Sequence, residues 1–146
     1  MTKRGDEGKY RFGDFTERAY RKLLAAARGR YRLEFFGTKT SHPHVLWRHD
    51  VDLSVHRAAR IAAIESDAGV RSTYFLLPHS EFYNLLEGRI AAMVRKIASQ
   101  GHAIGLHFAA GFHGAGLPAR SMASKARAER ALLEDLLQRI DPQADL

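Results

Sequence analysis

Two aspartates that follow an apolar run are the residues of this sequence best suited to do chemistry. Asp50 and Asp52 come after residues 45–47, which read as a buried strand, and before Ser54, a plausible helix cap. In extended backbone alternate side chains share a face, so both carboxylates point into one space while Val51 packs on the other side. Two like charges held so close need a cation or a shared proton between them, which predicts a metal or general-base site. The simpler alternative is a solvated strand end at which Asp52 caps the next helix.

The eight histidines supply further candidate ligands. Five of them follow or end apolar runs that are predicted to be parallel strands, and the carboxyl ends of such strands meet at one rim of a sheet. The sequence therefore predicts at the aspartate rim the residues His49, His79, His102, His107 and His113. A carboxylate with neutral imidazoles is a donor set typical of zinc and other borderline divalent metals. Any single histidine is more simply a hydrogen-bonded rim or surface residue, but the cluster favours a metal centre.

Helical and extended patterns alternate along the chain, which predicts an α/β fold with parallel strands and right-handed crossovers. The predicted elements are a helix from an Asp14/Glu17 capping box to Gly29, strands over 31–36 and 44–50, a helix from Ser54 to Gly69, a strand over 70–77, a helix ending at Gly101, a strand over 102–108 and a last helix from Met122 to Ile140. So few strands cannot close a barrel. One sheet edge is expected to stay open unless a partner, such as a second copy of the chain, covers it.

Composition indicates an ordinary globular domain. The 146 residues suit one domain but fall short of the ~250 of a complete α/β barrel, which predicts a truncated chain. The absence of cysteine excludes disulfides, thiolate metal sites and cysteine nucleophiles. A net charge of +7 favours anionic partners, but the basic residues are dispersed over helical faces, so a nucleic-acid function is not favoured. The polar N-terminus is unlike a signal peptide and no run has transmembrane length, which predicts a cytoplasmic protein without a membrane partner.

Three segments of the sequence resemble the motifs of the polysaccharide deacetylases, the NodB-homology carbohydrate esterases. They are WRHDVD at 47–52, STYFLL at 72–77 and GHAIGLHF at 101–108, in the order in which that family carries them. The chain is most similar to the branch associated with surface-polysaccharide clusters. The similarity covers 44–113, a motif-bearing core that follows an N-terminal helix and leader over 1–43 in a single domain of 1–146. The resemblance implies a partial irregular (β/α) barrel in which parallel strands alternate with helices.

The resemblance also implies an activity and a set of site residues. The family removes acetyl groups from N- or O-acetylated carbohydrates, as hydrolases of carbon–nitrogen bonds other than peptide bonds, with a divalent metal for which zinc is the expected ion. Carried over to this sequence, Asp50 is the general base, and Asp52 and His107 are metal ligands. The family's second metal histidine falls at Gly111 here, so His113 substitutes for it only if the glycine-rich loop bends.

His79 and Tyr83 are the predicted substrate-binding residues. His79 follows the second motif, and Tyr83 belongs to an aromatic and polar loop, residues 81–84, that either lines a sugar site or simply packs. The family's later motifs, including its general-acid histidine, are missing. Two alternatives therefore stay open: a degenerate, non-catalytic member of the same fold that acts as a binding or structural piece, and, less favoured, a basic nucleic-acid-binding domain.

Overall fold

The fold alternates short strands with longer helices. A computed structural model of the protein describes residues 12–140. In chain order the elements are a 3-10 turn Phe12–Phe15, α1 Glu17–Arg28, β1 Arg32–Glu34, β2 His44–Leu46, β3 Arg48–Val51, α2 Val55–Asp67, β4 Thr73–Leu76, α3 Gly88–Ser99, β5 Ala103–Leu106, a second 3-10 turn Ala110–His113 and α4 Ala119–Ile140. The predicted α/β class, with parallel strands alternating with helices, is confirmed.

The strands form two parallel sheets that meet at Trp47. β1 pairs with β2, and β3, β4 and β5 pair in that order. The backbone N–H of Trp47 donates to the carbonyl of Glu34 at 3.1 Å, while its own carbonyl accepts from the N–H of Thr73 at 3.1 Å. The carboxyl ends of β3, β4 and β5 therefore lie side by side, as a site at one rim requires.

Strand alternation divides the larger sheet into a core face and an opposite face. Val51, Leu76 and Ile104 point toward the helices and are almost fully buried. They pack in one cluster with apolar side chains of α2, α3 and α4, which is the burial that stabilises the domain. Arg48 and Asp50 of the same strand as Val51 are exposed, so these two polar residues lie on the side away from this core.

The predicted boundaries of α2 are confirmed. The Ser54 hydroxyl caps the helix by accepting from the N–H of Arg57 at 3.3 Å. Gly69, just past the helix, has a φ of +65°, a left-handed conformation that costs glycine little. Local chemistry therefore determines where this helix begins and ends.

The predicted capping box of α1 is wrong. Asp14 lies in the preceding 3-10 turn, and the N-cap is Thr16, whose hydroxyl accepts from the N–H of Ala19 at 3.2 Å. Glu17 instead accepts a hydrogen bond from Arg60 of α2 at 2.6 Å. The Glu17 carboxylate, which the capping box would have used, forms an ion pair between α1 and α2 instead.

The 22-residue helix α4 is amphipathic. Leu133, Leu136 and Leu137 are buried against the core, whereas Arg130 and Glu134 form an exposed pair at 2.8 Å on the outer side. None of the helices within residues 12–140 has both the length and the apolar character that crossing a membrane requires.

Candidate active site

Asp52 and His107 are predicted ligands that the fold brings together. Asp52 follows β3 and His107 follows β5, where its N–H extends the sheet by donating to the carbonyl of Leu76 at 2.8 Å. Nδ1 of His107 lies 2.9 Å from Oδ1 of Asp52. This ring nitrogen is nevertheless buried without a hydrogen bond, since the pair is close but not aligned as donor and acceptor. The orphaned nitrogen and the carboxylate oxygen thus lie close together without a hydrogen bond between them.

This pair fits two positions of a divalent cation. Zinc binds imidazole nitrogen and carboxylate oxygen at about 2.0–2.2 Å, so two such ligands of one tetrahedral ion lie about 3.4 Å apart, and a widening of the observed 2.9 Å by about 0.5 Å would admit the ion. A cation would satisfy the buried nitrogen, which otherwise costs free energy. In the described range 12–140, no three histidine, aspartate or glutamate side chains are arranged to hold a metal ion. The described residues therefore supply two ligands, which leaves further coordination positions to water or substrate.

His113, predicted as the third ligand, lies against a different carboxylate. The 3-10 turn Ala110–His113 directs Nε2 of His113 to Oε1 of Glu129 in α4, at 2.5 Å. Glu129 is only 4% exposed, and the His113 ring also stacks on Phe108 with centroids 5.3 Å apart. His113 could bind a metal with Asp52 only by leaving this buried partner. The structure does not bring it into their pair.

Glu129 was missed by the sequence analysis. Its spacing to Leu133 and Leu136 places it on the buried side of α4, and that spacing was the signal that could have found it. Its Oε2 is buried without a hydrogen-bond partner. The carboxylate also lies 3.3 Å from Nε2 of His79. Glu129 thus links α4 to both rim histidines.

His79 lies beyond β4 as the sequence predicts. Its ring stacks face to face on Phe112, with centroids 4.0 Å apart and an interplanar angle of 8°. Phe112 is 60% exposed, so the stack presents an aromatic surface to solvent. Substrate binding by His79 stays a prediction.

Tyr83 clamps the ends of two strands. Its hydroxyl donates to the carbonyl of Val51 at 2.7 Å and accepts from the N–H of Leu77 at 2.9 Å. Burial raises the pKa of Tyr83. The ring also lines a cavity of about 300 Å³ together with Leu53 and Ser54. A substrate role for Tyr83 stays a prediction, and its hydroxyl is already used within the fold.

Asp50 binds an arginine of its own strand, and the cation predicted between Asp50 and Asp52 stays a prediction. One terminal nitrogen of Arg48, Nη2, donates to both carboxylate oxygens of Asp50 at 2.6 Å. Asp50 and Asp52 also line one cavity of about 290 Å³, together with Ser54 and Arg57. Asp50 and Asp52 therefore share a cavity, and His107 does not line it.

His102 does not lie at the predicted rim. It precedes β5, so it lies at the opposite end of the sheet from His107, and it is 5% exposed. Its Nδ1 accepts from the N–H of Ser72 at 3.2 Å, so the proton is on Nε2, which donates to the carbonyl of Ala62 at 3.0 Å. Burial lowers the pKa of His102. The prediction that it shares the aspartate rim is wrong.

His49 also departs from the predicted cluster, because strand alternation turns it toward α2. There it meets Glu65, a fully buried carboxylate that the sequence analysis missed although its spacing to Ala58, Ile61 and Ala62 marks the buried face of α2. Oε1 of Glu65 accepts from the Tyr20 hydroxyl, from Trp47 Nε1 at 2.9 Å and from His49 Nε2 at 2.6 Å, and Oε2 accepts from the Ser72 hydroxyl at 2.6 Å and the Tyr74 hydroxyl at 2.7 Å.

These hydrogen bonds keep Glu65 ionised inside the protein. Burial by itself would raise the pKa of Glu65, but the bonds from His49, Ser72 and Tyr20 outweigh it and lower the pKa to about 2. Burial, reinforced by the neighbouring carboxylate, raises the pKa of Tyr20 and Tyr74. The network joins α1, α2, β3 and β4 and anchors the strands that carry the rim residues.

Comparisons with known proteins found few similarities. No protein-family model matches the chain, and no curated protein matches it. Among solved structures, the chain is similar to the chitin deacetylase of the fungal pathogen Colletotrichum lindemuthianum, with 23% sequence identity and a TM-score of 0.45. The match covers 65% of this chain and 38% of that chain.

Proposed function

We propose that this chain is a metal-dependent hydrolase domain that removes acetyl groups from an N- or O-acetylated carbohydrate. The observation that carries the proposal is the 2.9 Å approach of Asp52 Oδ1 and His107 Nδ1, with the ring nitrogen buried and unbonded. The two residues follow strands on either side of β4, at the carboxyl ends where parallel sheets bind ligands.

Asp52 and His107 would hold the cation, with zinc as the expected ion. A divalent ion bound there would polarise the acetyl carbonyl and lower the pKa of a bound water. Asp50 would accept the proton of the attacking water, since Asp50 lines the same cavity as Asp52. His113 would join the ligands only after leaving Glu129, so it is not required in the proposed site.

The sugar would lie along the same rim. The exposed Phe112 ring, supported by His79, offers the apolar face of a pyranose a flat surface. Tyr83 would line the sugar site with its aromatic ring only, because its hydroxyl is already hydrogen-bonded to the backbone of Val51 in β3 and of Leu77 after β4. We also propose membership of the surface-polysaccharide branch of the polysaccharide deacetylases and a cytoplasmic location. The three motif segments lie on or next to β3, β4 and β5, which is the support for the family assignment.

A second candidate is a non-catalytic domain of the same fold that acts as a binding or structural piece. It is favoured by one observation: within residues 12–140 the pair Asp52 and His107 has no third protein ligand, while His113 is held by Glu129. Two ligands would hold zinc more weakly than the three of typical catalytic sites.

Acetate release from N-acetylated chito-oligosaccharides and O-acetylated glycans, measured with zinc present, tests the proposal. We expect Asp52→Asn to abolish zinc binding, and Asp50→Asn to lower kcat roughly 100-fold or more with zinc affinity kept. Asp67→Asn is the matched control, because Asp67 is 69% exposed and pairs only loosely with Arg21 at 3.7 Å.

Three results separate the candidates. The hydrolase is supported if the wild-type chain releases acetate and Asp52→Asn no longer binds zinc. Zinc binding by a wild-type chain that turns over no acetylated glycan supports the non-catalytic alternative. Full zinc affinity in Asp52→Asn would sink the proposed metal site.

A further inference from the structure

The face of the sheet away from the core carries a row of three residues in register. Asp50 of β3 is opposite Phe75 of β4, and Phe75 is opposite Gly105 of β5. Arg48 shares this face because it precedes Asp50 by two positions in the strand. The row runs across the sheet directly below the rim at which Asp52 and His107 meet.

Arg48 is held between two aromatic rings while it binds Asp50. Its guanidinium carbon lies 4.7 Å from the centroid of Phe75 and 5.1 Å from that of Phe36. The two rings meet edge to face at 5.3 Å, and the backbone N–H of Phe36 donates to the Thr73 hydroxyl at 3.0 Å. A part-exposed arginine would otherwise sample many rotamers, so the rings restrict where its terminal nitrogen can lie.

Gly105 makes this arrangement possible. A Cβ added at Gly105 would lie 2.7 Å from Cε1 and 2.8 Å from Cδ1 of the Phe75 ring, closer than real carbon atoms approach. The ring is rigid, so it would have to move, and Arg48 packs on that ring. The absent side chain at Gly105 therefore sets the position of Phe75, then of Arg48, and finally of the Asp50 carboxylate.

We propose that Gly105, Phe75 and Arg48 form a positioning relay that fixes the orientation of Asp50. Arg48 occupies one lone-pair position on each carboxylate oxygen of Asp50. The other lone pairs remain free to accept hydrogen bonds from water. The relay rests on the proposed role of Asp50 as the general base. Its residues bind neither the cation nor the substrate, so their loss affects kcat and leaves zinc affinity unchanged.

Gly105→Ala in the full chain is the first test. We expect kcat to fall roughly 10- to 100-fold, the effect of a misplacement of about 1 Å, with KM and zinc affinity changed less than about twofold. Gly88→Ala is the matched control, because Gly88 begins α3 and a Cβ there meets no atom within 4 Å. It should leave kcat unchanged.

Two more variants keep the test independent of folding defects. Phe75→Leu retains an apolar side chain without the ring, and it should lower kcat even if Gly105→Ala fails to fold. Arg48→Ala should lower kcat to a similar extent and be partly rescued by added guanidinium ion, a recovery that general destabilisation would not give. In zinc-free protein, proton NMR should show ring-current shifts of the Arg48 side chain that decrease in Phe75→Leu.

The outcomes separate this relay from the proposed activity. If the wild-type chain releases acetate, and Arg48→Ala and Phe75→Leu have the same kcat as the wild type, the relay alone is overturned. A wild-type chain that binds zinc but releases no acetate overturns the proposed hydrolase, and the relay falls with it. Loss of zinc affinity in Arg48→Ala would also overturn the relay, because it would make Arg48 part of the metal site.

Discussion

His49 donates from Nε2 to Oε1 of the buried Glu65 at 2.6 Å. The two side chains come from the middle of β3 and the last turns of α2, and the bond fixes that strand against the helix. Asp50 and Asp52 follow His49 directly, so their positions depend on this buried contact. The chemistry proposed at the rim is thus supported by a hydrogen bond on the other face of the same strand.

Glu65→Gln should lower the free energy of unfolding at pH 7 by about 3 kcal/mol. The amide cannot replace a carboxylate that accepts from five donors, and it directs an NH₂ group at some of them. Urea unfolding followed by circular dichroism measures the change. Glu134→Gln removes an exposed carboxylate bonded to Arg130 at 2.8 Å and should cost less than about 0.5 kcal/mol. Equal losses in the two variants would contradict the anchoring role of Glu65.

The stability due to Glu65 should depend on pH. Its pKa is about 2 in the folded protein against an ordinary 4.5, so the unfolded chain binds its proton first as the pH falls. This contribution, about 3 kcal/mol, is fully present above pH 4.5 and is lost progressively as the pH falls toward 2. Unfolding curves of wild type and Glu65→Gln should therefore converge between these values. A difference that stays constant over that range would contradict the lowered pKa.

His102 should be neutral at pH 7 with its proton on Nε2. Burial lowers its pKa, so the unfolded chain gains a proton on the imidazole before the folded protein does. Stability due to this residue is therefore present at neutral pH and decreases as the pH falls below about 6.5. Two-dimensional NMR of the ring nitrogens identifies the tautomer and the titration midpoint. A midpoint above 6.5, or a proton on Nδ1, would contradict the hydrogen bonds to Ser72 and Ala62.

Zinc should raise the melting temperature through His107 and not through His113. At a free zinc concentration about 100 times Kd, binding adds about 2.7 kcal/mol, a shift of roughly 5 to 10 °C. His107→Ala should abolish the shift. His113→Ala should keep it while lowering the zinc-free melting temperature, because Glu129 loses its closest donor. If His113→Ala also loses the shift, His113 is a ligand and must leave Glu129 when the metal binds.

Tyr83→Phe should destabilise the protein by about 1–3 kcal/mol, because the carbonyl of Val51 and the N–H of Leu77 both lose a partner. KM for an acetylated glycan should change less than twofold in Tyr83→Phe, since the aromatic ring is kept. Tyr83→Ala removes the ring and should raise KM. Thermal unfolding and steady-state kinetics of the two variants separate these effects. A large rise of KM in Tyr83→Phe would show that the hydroxyl binds substrate.

Local sequence signals accounted for much of the framework. Ser54 and Gly69 delimit α2 because capping and left-handed backbone depend on a few neighbouring residues. The alternation around Val51 predicted correctly which side of β3 packs on the core. The sequence offers two capping acceptors close together before α1, Asp14 and Thr16, and Thr16 was missed. The folded structure decides for Thr16, which caps the helix, while Glu17 binds Arg60 of α2.

The sequence by itself determined the α/β class, and it placed Asp52 and His107 after strands that end at one rim, since the residues that follow each strand are a property of the chain. Only the tertiary structure decided which polar groups meet. Glu65 forms a hydrogen bond with His49, Glu129 forms one with His113, and Arg48 forms one with Asp50. The first two partners come from different elements, and the third is fixed by rings on other segments. Each pairing follows from the free-energy cost of leaving a charged group without a partner, and that cost depends on neighbours that only the folded chain supplies.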